Sequence, residues 1–284
     1  MSALESSFVI KAEDKSELIS KASWLAFYQR HQYVLLGVLS VTVLTFLWWL
    51  VAALELVPSL FLPSPQAVWN KFVVVSAQGF MDATLWQHMA ASLQRIVLGL
   101  VFAVLIGIPL GLWIGCNNIV RGLLDPLVEI YRPIPPLAYL PLLVIWFGIG
   151  ETTKVLLIFL AILAPIIIAT AHGVSSAGKS RQRAALSLGA SPSQLLWHVT
   201  LPAALPSILT GVRIGLGAGW STLVAAELVA ATRGLGFMVQ SAAQFLVTDV
   251  VILGILVIAT IAFVIEIGLR RLQKRLTPWY SHYE

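Results

Sequence analysis

The chain has 284 residues, 58% of them apolar and 11% charged, with a formal net charge of +5. A water-soluble domain carries about 25% charged residues, so this composition points to a membrane protein and leaves no room for a soluble catalytic domain of ordinary size. The basic excess suits loops at a membrane surface rather than a nucleic-acid-binding face, and the single cysteine, Cys116, excludes an intrachain disulfide and a cysteine-rich metal site.

Residues 1–33 open the chain as a polar segment of mixed charge, unlike a cleavable leader. Within it, SELISKASWLAFYQRHQY interleaves Trp24, Phe27, Tyr28 and Tyr33 with charges, which fits an amphipathic helix in the membrane interface or a polar tail. About 20 apolar residues cross the hydrocarbon, and six such runs follow, at roughly 34–56, 93–116, 127–148, 153–173, 207–230 and 250–269. The fold class predicted is therefore an all-α membrane protein with six transmembrane helices. Residues 34–270 form the membrane domain and residues 271–284 a polar tail.

The third run carries Pro133, Pro135, Pro136 and Pro141. Backbone freed from a helix at membrane depth must line protein or a water-filled cavity, which makes Arg132, Pro135 and Pro136 candidates for a pathway wall. Arg132 has a second reading, as an anchor paired with Asp125 or Glu129. The fifth run contains Gly211, Gly215, Gly217 and Gly219, small residues that let helices approach closely. Gly219, Trp220, Ser221 and Glu227 of this run join the candidate pathway set. An ionisable group at that depth is a functional candidate by default; Glu227 could face a pathway, cap a neighbouring helix or pair with an arginine. Arg95 and Arg213 are expected to snorkel to the surfaces. Glu55 and Glu266 are expected to reach water, His88, His172 and His198 to be solvated, and Cys116 to fill a gap in the core.

Short cytoplasmic loops are enriched in Lys and Arg. With the N-terminus inside, the inner segments hold Lys11, Lys15, Lys21, Arg30, Arg121, Lys179, Arg181, Arg183, Arg270, Arg271, Lys274 and Arg275, against Lys71, Lys154 and Arg233 outside. Both termini and the segment 174–205 are therefore predicted to be cytoplasmic.

That segment contains RAALSLGASPSQLLWHVTLP, residues 183–202. It reads as a short helix, a glycine turn at Gly189 and a second short helix. Ser191 N-caps the second helix, Pro192 sits in its first turn and Gln194 completes a capping box. The residue before Pro202 is biased away from the α region, so the second helix is predicted to end near Thr200. The hairpin presents Ala184, Ala185, Leu188, Leu195 and Val199 as a docking face outside the bilayer. No GxxxxGK[ST], HExxH or paired-histidine motif occurs, so neither a nucleotide site nor a catalytic or metal site is expected in this chain.

The hairpin's spacing resembles the EAA loop of ABC importer permeases. Ala184, Ala185, Gly189, Leu201 and Pro202 match it; Arg183 stands where the family has Glu, and Val199 where it has Ile. The stretches RPIPPLAYLPLLVIWFGIGE, LPAALPSILTGVRIGLGAGW and AAELVAATRGLGFMVQ look like the nitrate/sulfonate/taurine branch of binding-protein-dependent permeases, and FLPSPQAVWNKF and GFMDATLWQHMAASLQRI look most like its taurine members. The resemblance implies a type I ABC importer permease fold in a bacterial inner membrane. Two permease copies would enclose a route for a sulfonate, with taurine expected and another alkanesulfonate or small anion as the alternative. A dimer of ATPase subunits, binding ATP and Mg, would dock on the hairpins at Ala184, Ala185, Leu188, Gly189, Ala190, Leu195, Val199, Leu201 and Pro202. A periplasmic substrate-binding protein would dock opposite. An ion-coupled secondary transporter is the reading from another class; it is disfavoured because no internal repeat is evident and Glu227 is the one mid-span carboxylate.

Overall fold

The computed structural model describes residues 32, 34–176 and 178–280. The interfacial helix considered for 16–33 falls outside the described residues except at Gln32, as does the end of the tail, 281–284. Among the described residues the structure is all-α, apart from one isolated bridge between Phe80 and Ala83. Among the described residues five helices are long and apolar enough to cross a membrane, and a bent pair supplies a sixth span if counted as one.

The chain divides into two compact units, residues 1–65 and 66–284. The described part of the first contains helix α1 (Val34–Ala53) and a turn region in which Trp48 donates its indole N–H to the Pro63 carbonyl at 3.0 Å. The second unit holds α2 (Pro65–Ala77), which begins at the boundary, then α3 (Leu85–Cys116), α4 (Asn118–Tyr131), a 3₁₀ turn (Pro136–Tyr139), α5 (Leu140–Phe147) and α6 (Glu151–Ser176). The hairpin follows as α7 (Lys179–Ser187) and α8 (Pro192–Leu195). Then come α9 (Leu201–Ala230), α10 (Leu235–Gln244) and α11 (Thr248–Leu276).

Helices α3, α6 and α9 pack side by side as the centre of this unit. In lipid, association depends on close contact rather than on expulsion of water, and the sequence supplies it. Small residues recur every four positions on α3 at Gly99, Ala103, Gly107, Gly111 and Gly115. Ile158, Ile166, Thr170 and Val174 of α6 lie against the four glycines. A methyl group at Gly111 would sit 2.5 Å from Thr170 Cβ, and one at Gly115 2.5 Å from Val174 Cβ. Gly215 and Gly219 of α9 meet Ile162 in the same way from the other side. The core is completed by Ile96, Val212, Leu216, Trp220 and Leu223.

Two boundaries differ from expectation, and the third run breaks at its prolines as their spacing implied. The second span starts at Leu85 rather than 93, because Thr84 caps it with a reciprocal Gln87 capping box. The third run is broken: α4 and the Pro136–Phe147 segment meet at 90°, since Pro135 and Pro136 remove donors and hold the chain extended at Pro135 (φ −59°, ψ 132°). The second hairpin helix does not end near Thr200. It passes through a π turn, Leu196–Thr200, into α9, with the Leu201 N–H bonded to the Leu196 carbonyl. The wider turn lets Pro202 enter the first turn of α9, where its missing N–H costs least.

Candidate functional site

Three features stand out from the apolar bundle, and the hairpin is the first. The chain reverses between α7 and α8 at Gly189, whose φ of +84° suits glycine. Ala190 N–H bonds to the Ala185 carbonyl at 3.1 Å and Gly189 N–H to the Leu186 carbonyl at 3.0 Å, the Schellman pattern of a glycine-terminated helix. Ser191 then caps α8: its Oγ accepts from Gln194 N–H at 3.3 Å, and Gln194 Oε1 accepts from Ser191 N–H at 2.9 Å. With these termini satisfied, the turn holds Leu188 in the open at 89% exposure, with Leu186 and Trp197 exposed nearby. Ala184 and Gly189 are exposed; Ala185, Ala190, Leu195, Val199, Leu201 and Pro202 are half-buried. Arg183, in the place of the family's Glu, is exposed.

The second feature is the broken span. Arg132, at the end of α4, is exposed and has no ion pair with Asp125 or Glu129; Asp125 instead faces Arg121 at 3.8 Å. Tyr131 donates its hydroxyl to the Leu160 carbonyl at 2.7 Å and stacks on Tyr139, tying the break to α6. Pro135 is exposed and Pro136 half-buried. On α9, Thr210, Ile214, Gly217, Ser221 and Leu228 form an exposed stripe. Gly219 and Trp220 point the other way and are buried in the core.

The third feature is a buried ionic cluster where α3, α6, α9 and the start of α10 meet. Arg95 binds Glu151 with two bonds (Nε to Oε2 at 2.6 Å, Nη2 to Oε1 at 2.8 Å) and Glu227 Oε1 with Nη1 at 2.6 Å. Its Nη1 also donates to the Arg233 carbonyl at 2.8 Å. Glu227 accepts from Ser92 Oγ and Gly236 N–H, each at 2.7 Å, and Lys154 closes on Glu151 at 2.9 Å. Two basic and two acidic side chains thus balance. Charges at this depth are tolerated when paired and fully bonded. His88 extends the network, accepting from Gly234 N–H at Nδ1 (3.1 Å) and donating from Nε2 to the Phe80 carbonyl (3.0 Å).

This cluster corrects several expectations. Arg95 does not snorkel and His88 is not solvated; both are buried because partners from other helices converge on them. Glu227 caps α10 and pairs with an arginine, and being 0% exposed it presents nothing to a pathway within this chain. Arg213 pairs with Glu266 at 2.5 Å and donates to Gln273 at 3.1 Å, toward the start of the tail. Glu266 also holds Arg270, and its side chain stays partly exposed, as expected of a group that reaches water. Cys116 is exposed, because α3 ends there, instead of filling the core. The periodicity of α3 could have found Arg95: Ser92 and Arg95 lie on the same face as Gly99.

Span-length helices broken once by prolines and once by a capped surface hairpin are the build of a membrane transport subunit. Residues 107–278 match the family described as binding-protein-dependent transport system inner membrane component. The chain belongs to that family and is an ABC transporter permease. It is 63% identical over 252 residues to the taurine transport system permease protein TauC of Escherichia coli (strain K12), covering 88% of this chain and 92% of that protein. A putative aliphatic sulfonates transport permease protein, SsuC, of the same organism is 37% identical over 83% of this chain and 88% of its own length. Among solved structures, an inward-facing form of the MetNI methionine ABC transporter superposes with a TM-score of 0.62 at 20% identity, covering 68% of this chain and 96% of that one. That likeness establishes the fold, that of a type I ABC importer permease.

Proposed function

We propose that this chain is the membrane-spanning subunit of an ATP-driven importer that carries a sulfonate, with taurine as the substrate, across a bacterial inner membrane. The observation that carries the reading is the capped hairpin, which places Leu188 at the tip of an otherwise satisfied turn, in a chain so similar to a taurine permease. In this reading a pair of ATPase subunits, binding ATP and Mg, grips Ala184, Ala185, Leu188, Gly189, Ala190, Leu195, Val199, Leu201 and Pro202 from the cytoplasm. Two copies of the permease enclose the route, and a periplasmic binding protein delivers substrate to the opposite side. Both termini are cytoplasmic. The chain itself performs no chemistry.

The pathway candidates are narrowed by what each side chain touches. Arg132, Pro135 and Ser221 are open on the surface of this chain, Pro136 is half-buried, and all four stay as wall residues. Gly219 and Trp220 support that wall from behind. Glu227 holds the bundle together. Closure of the ATPase pair would draw two hairpins together and bias α9 directly, since the π turn makes hairpin and helix continuous.

The test is taurine uptake by proteoliposomes containing permease, ATPase and binding protein. Uptake that requires internal ATP and survives a protonophore supports the reading. Uptake driven by an ion gradient without ATP overturns it.

A further inference from the structure

On the hairpin side of the bundle, a cavity of about 400 Å³ opens between the end of α4, the last turns of α6 and the first turns of α9. Its polar lining is Arg132, His172, Ser207, Thr210 and Tyr280, and among the described residues no carboxylate lines it. The remaining wall is apolar, with Pro165, Ile168 and Ile214 prominent. The cations Arg95, Lys154 and Arg213 each hold a glutamate in this bundle. Arg132 holds none among the described residues, and the side chains of His172, Ser207 and Tyr280 make no hydrogen bond there either. An unpaired guanidinium with free hydroxyls and no competing acid is a receptor for a compact oxyanion.

We propose that this cavity is a binding site for the sulfonate group of the transported molecule, with Arg132 as its charge partner and the hydroxyls of Ser207 and Tyr280 as donors. The assignment of a sulfonate, rather than another oxyanion, rests on the importer reading above. Because no carboxylate among the described residues lines the cavity, the site reads the anionic end and ignores the amine. It therefore adds nothing to discrimination between taurine and a plain alkanesulfonate, and leaves that choice to another component. Guanidinium–oxyanion bonds are charge-assisted and bidentate, so loss of the guanidinium removes most of the affinity.

The experiment uses the full-length chain with its ATPase in lipid nanodiscs, free of nucleotide and binding protein. Equilibrium binding of labelled taurine is measured, with ethanesulfonate and ethylamine as competitors. Taurine and ethanesulfonate should compete with similar strength and ethylamine should not compete. Arg132→Gln should weaken both sulfonates by at least about tenfold, Arg132→Lys should recover part of the loss, and Ser207→Leu, which fills the cavity, should abolish binding. Asp125→Asn, outside the cavity, should bind as the parent does. Unchanged affinity in Arg132→Gln, competition by ethylamine, or no saturable binding to the parent chain overturns the site. Uptake separates the two readings. Sulfonate binding without ATP-dependent uptake would keep the site as an oxyanion receptor and overturn the importer, whereas normal uptake with Arg132-independent binding would overturn the site alone.

Discussion

Replacing Glu227 with Gln tests whether the ionic cluster holds the bundle. Glu227 is fully buried, its Oε1 accepts from Ser92 and Arg95, and its Oε2 accepts from Gly236 N–H. A glutamine has one acceptor oxygen and one donor nitrogen, so in either orientation its NH₂ faces a donor. The cluster then carries one uncompensated positive charge. Removing one partner of a buried pair costs about 3–5 kcal/mol. The low end, about 3 kcal/mol, applies because Arg95 keeps both bonds to Glu151, whose side chain is 62% exposed and partly hydrated. The charge-balanced double variant, Arg95→Gln with Glu227→Gln, should lose less than the sum of the two single losses by about 1–3 kcal/mol. Tryptophan-fluorescence unfolding in mixed micelles measures all four corners of the cycle. A Glu227→Gln loss under about 0.5 kcal/mol, or strict additivity of the two substitutions, would refute the argument that mutual charge compensation stabilises this meeting of helices.

Other perturbations separate packing from coupling. Gly111→Leu should destabilise the α3–α6 contact by about 1–3 kcal/mol or more, because the added atoms meet Thr170 Cβ and the Ile167 carbonyl; a melting temperature equal to the parent's counts against the small-residue groove. Gly189→Val forces a β-branched residue to φ +84° at about 1–2 kcal/mol of local strain. The chain should still insert but should no longer co-purify with the ATPase; undiminished co-purification with normal uptake removes the docking claim. Ser221→Trp should block uptake while leaving melting unchanged, since Ser221 lies on the exposed stripe of α9; normal uptake takes that stripe off the route. In a Cys116-free background, a cysteine at Ser180 should be labelled from the cytoplasmic face and one at Gln78 from outside, and the reverse pattern overturns the orientation.

The hairpin was legible because everything that shapes it is local. Ser191, Pro192 and Gln194 cap a helix within four residues, and Gly189 takes a backbone conformation that its neighbours cannot relieve. The spans were legible from composition, and so was the break at Pro135 and Pro136, because a missing donor acts on its own turn. Legibility stopped at Pro202. The rule that a proline ends the preceding helix is also local, but here a π turn absorbed the missing bond.

What the sequence alone determined, then, is a membrane chain of apolar helices with one proline break and one capped surface hairpin, because hydropathy, capping and turn chemistry act over a few residues. What the tertiary structure decided is which faces meet. Ser92 and Arg95 are separated from Glu227 by more than 130 positions, with bonds spanning 135 and 132 residues. They join only because the glycine groove of α3 and the ridge of α6 bring α3 and α9 to the same level. The same rotation that buries Glu227 and Trp220 exposes Ser221, and it leaves Arg132 beside a cavity where no acid among the described residues answers it. A side chain's charge is written in the sequence, but whether it becomes a brace, a wall or a receptor depends on what the neighbouring helices place within about 3 Å of it.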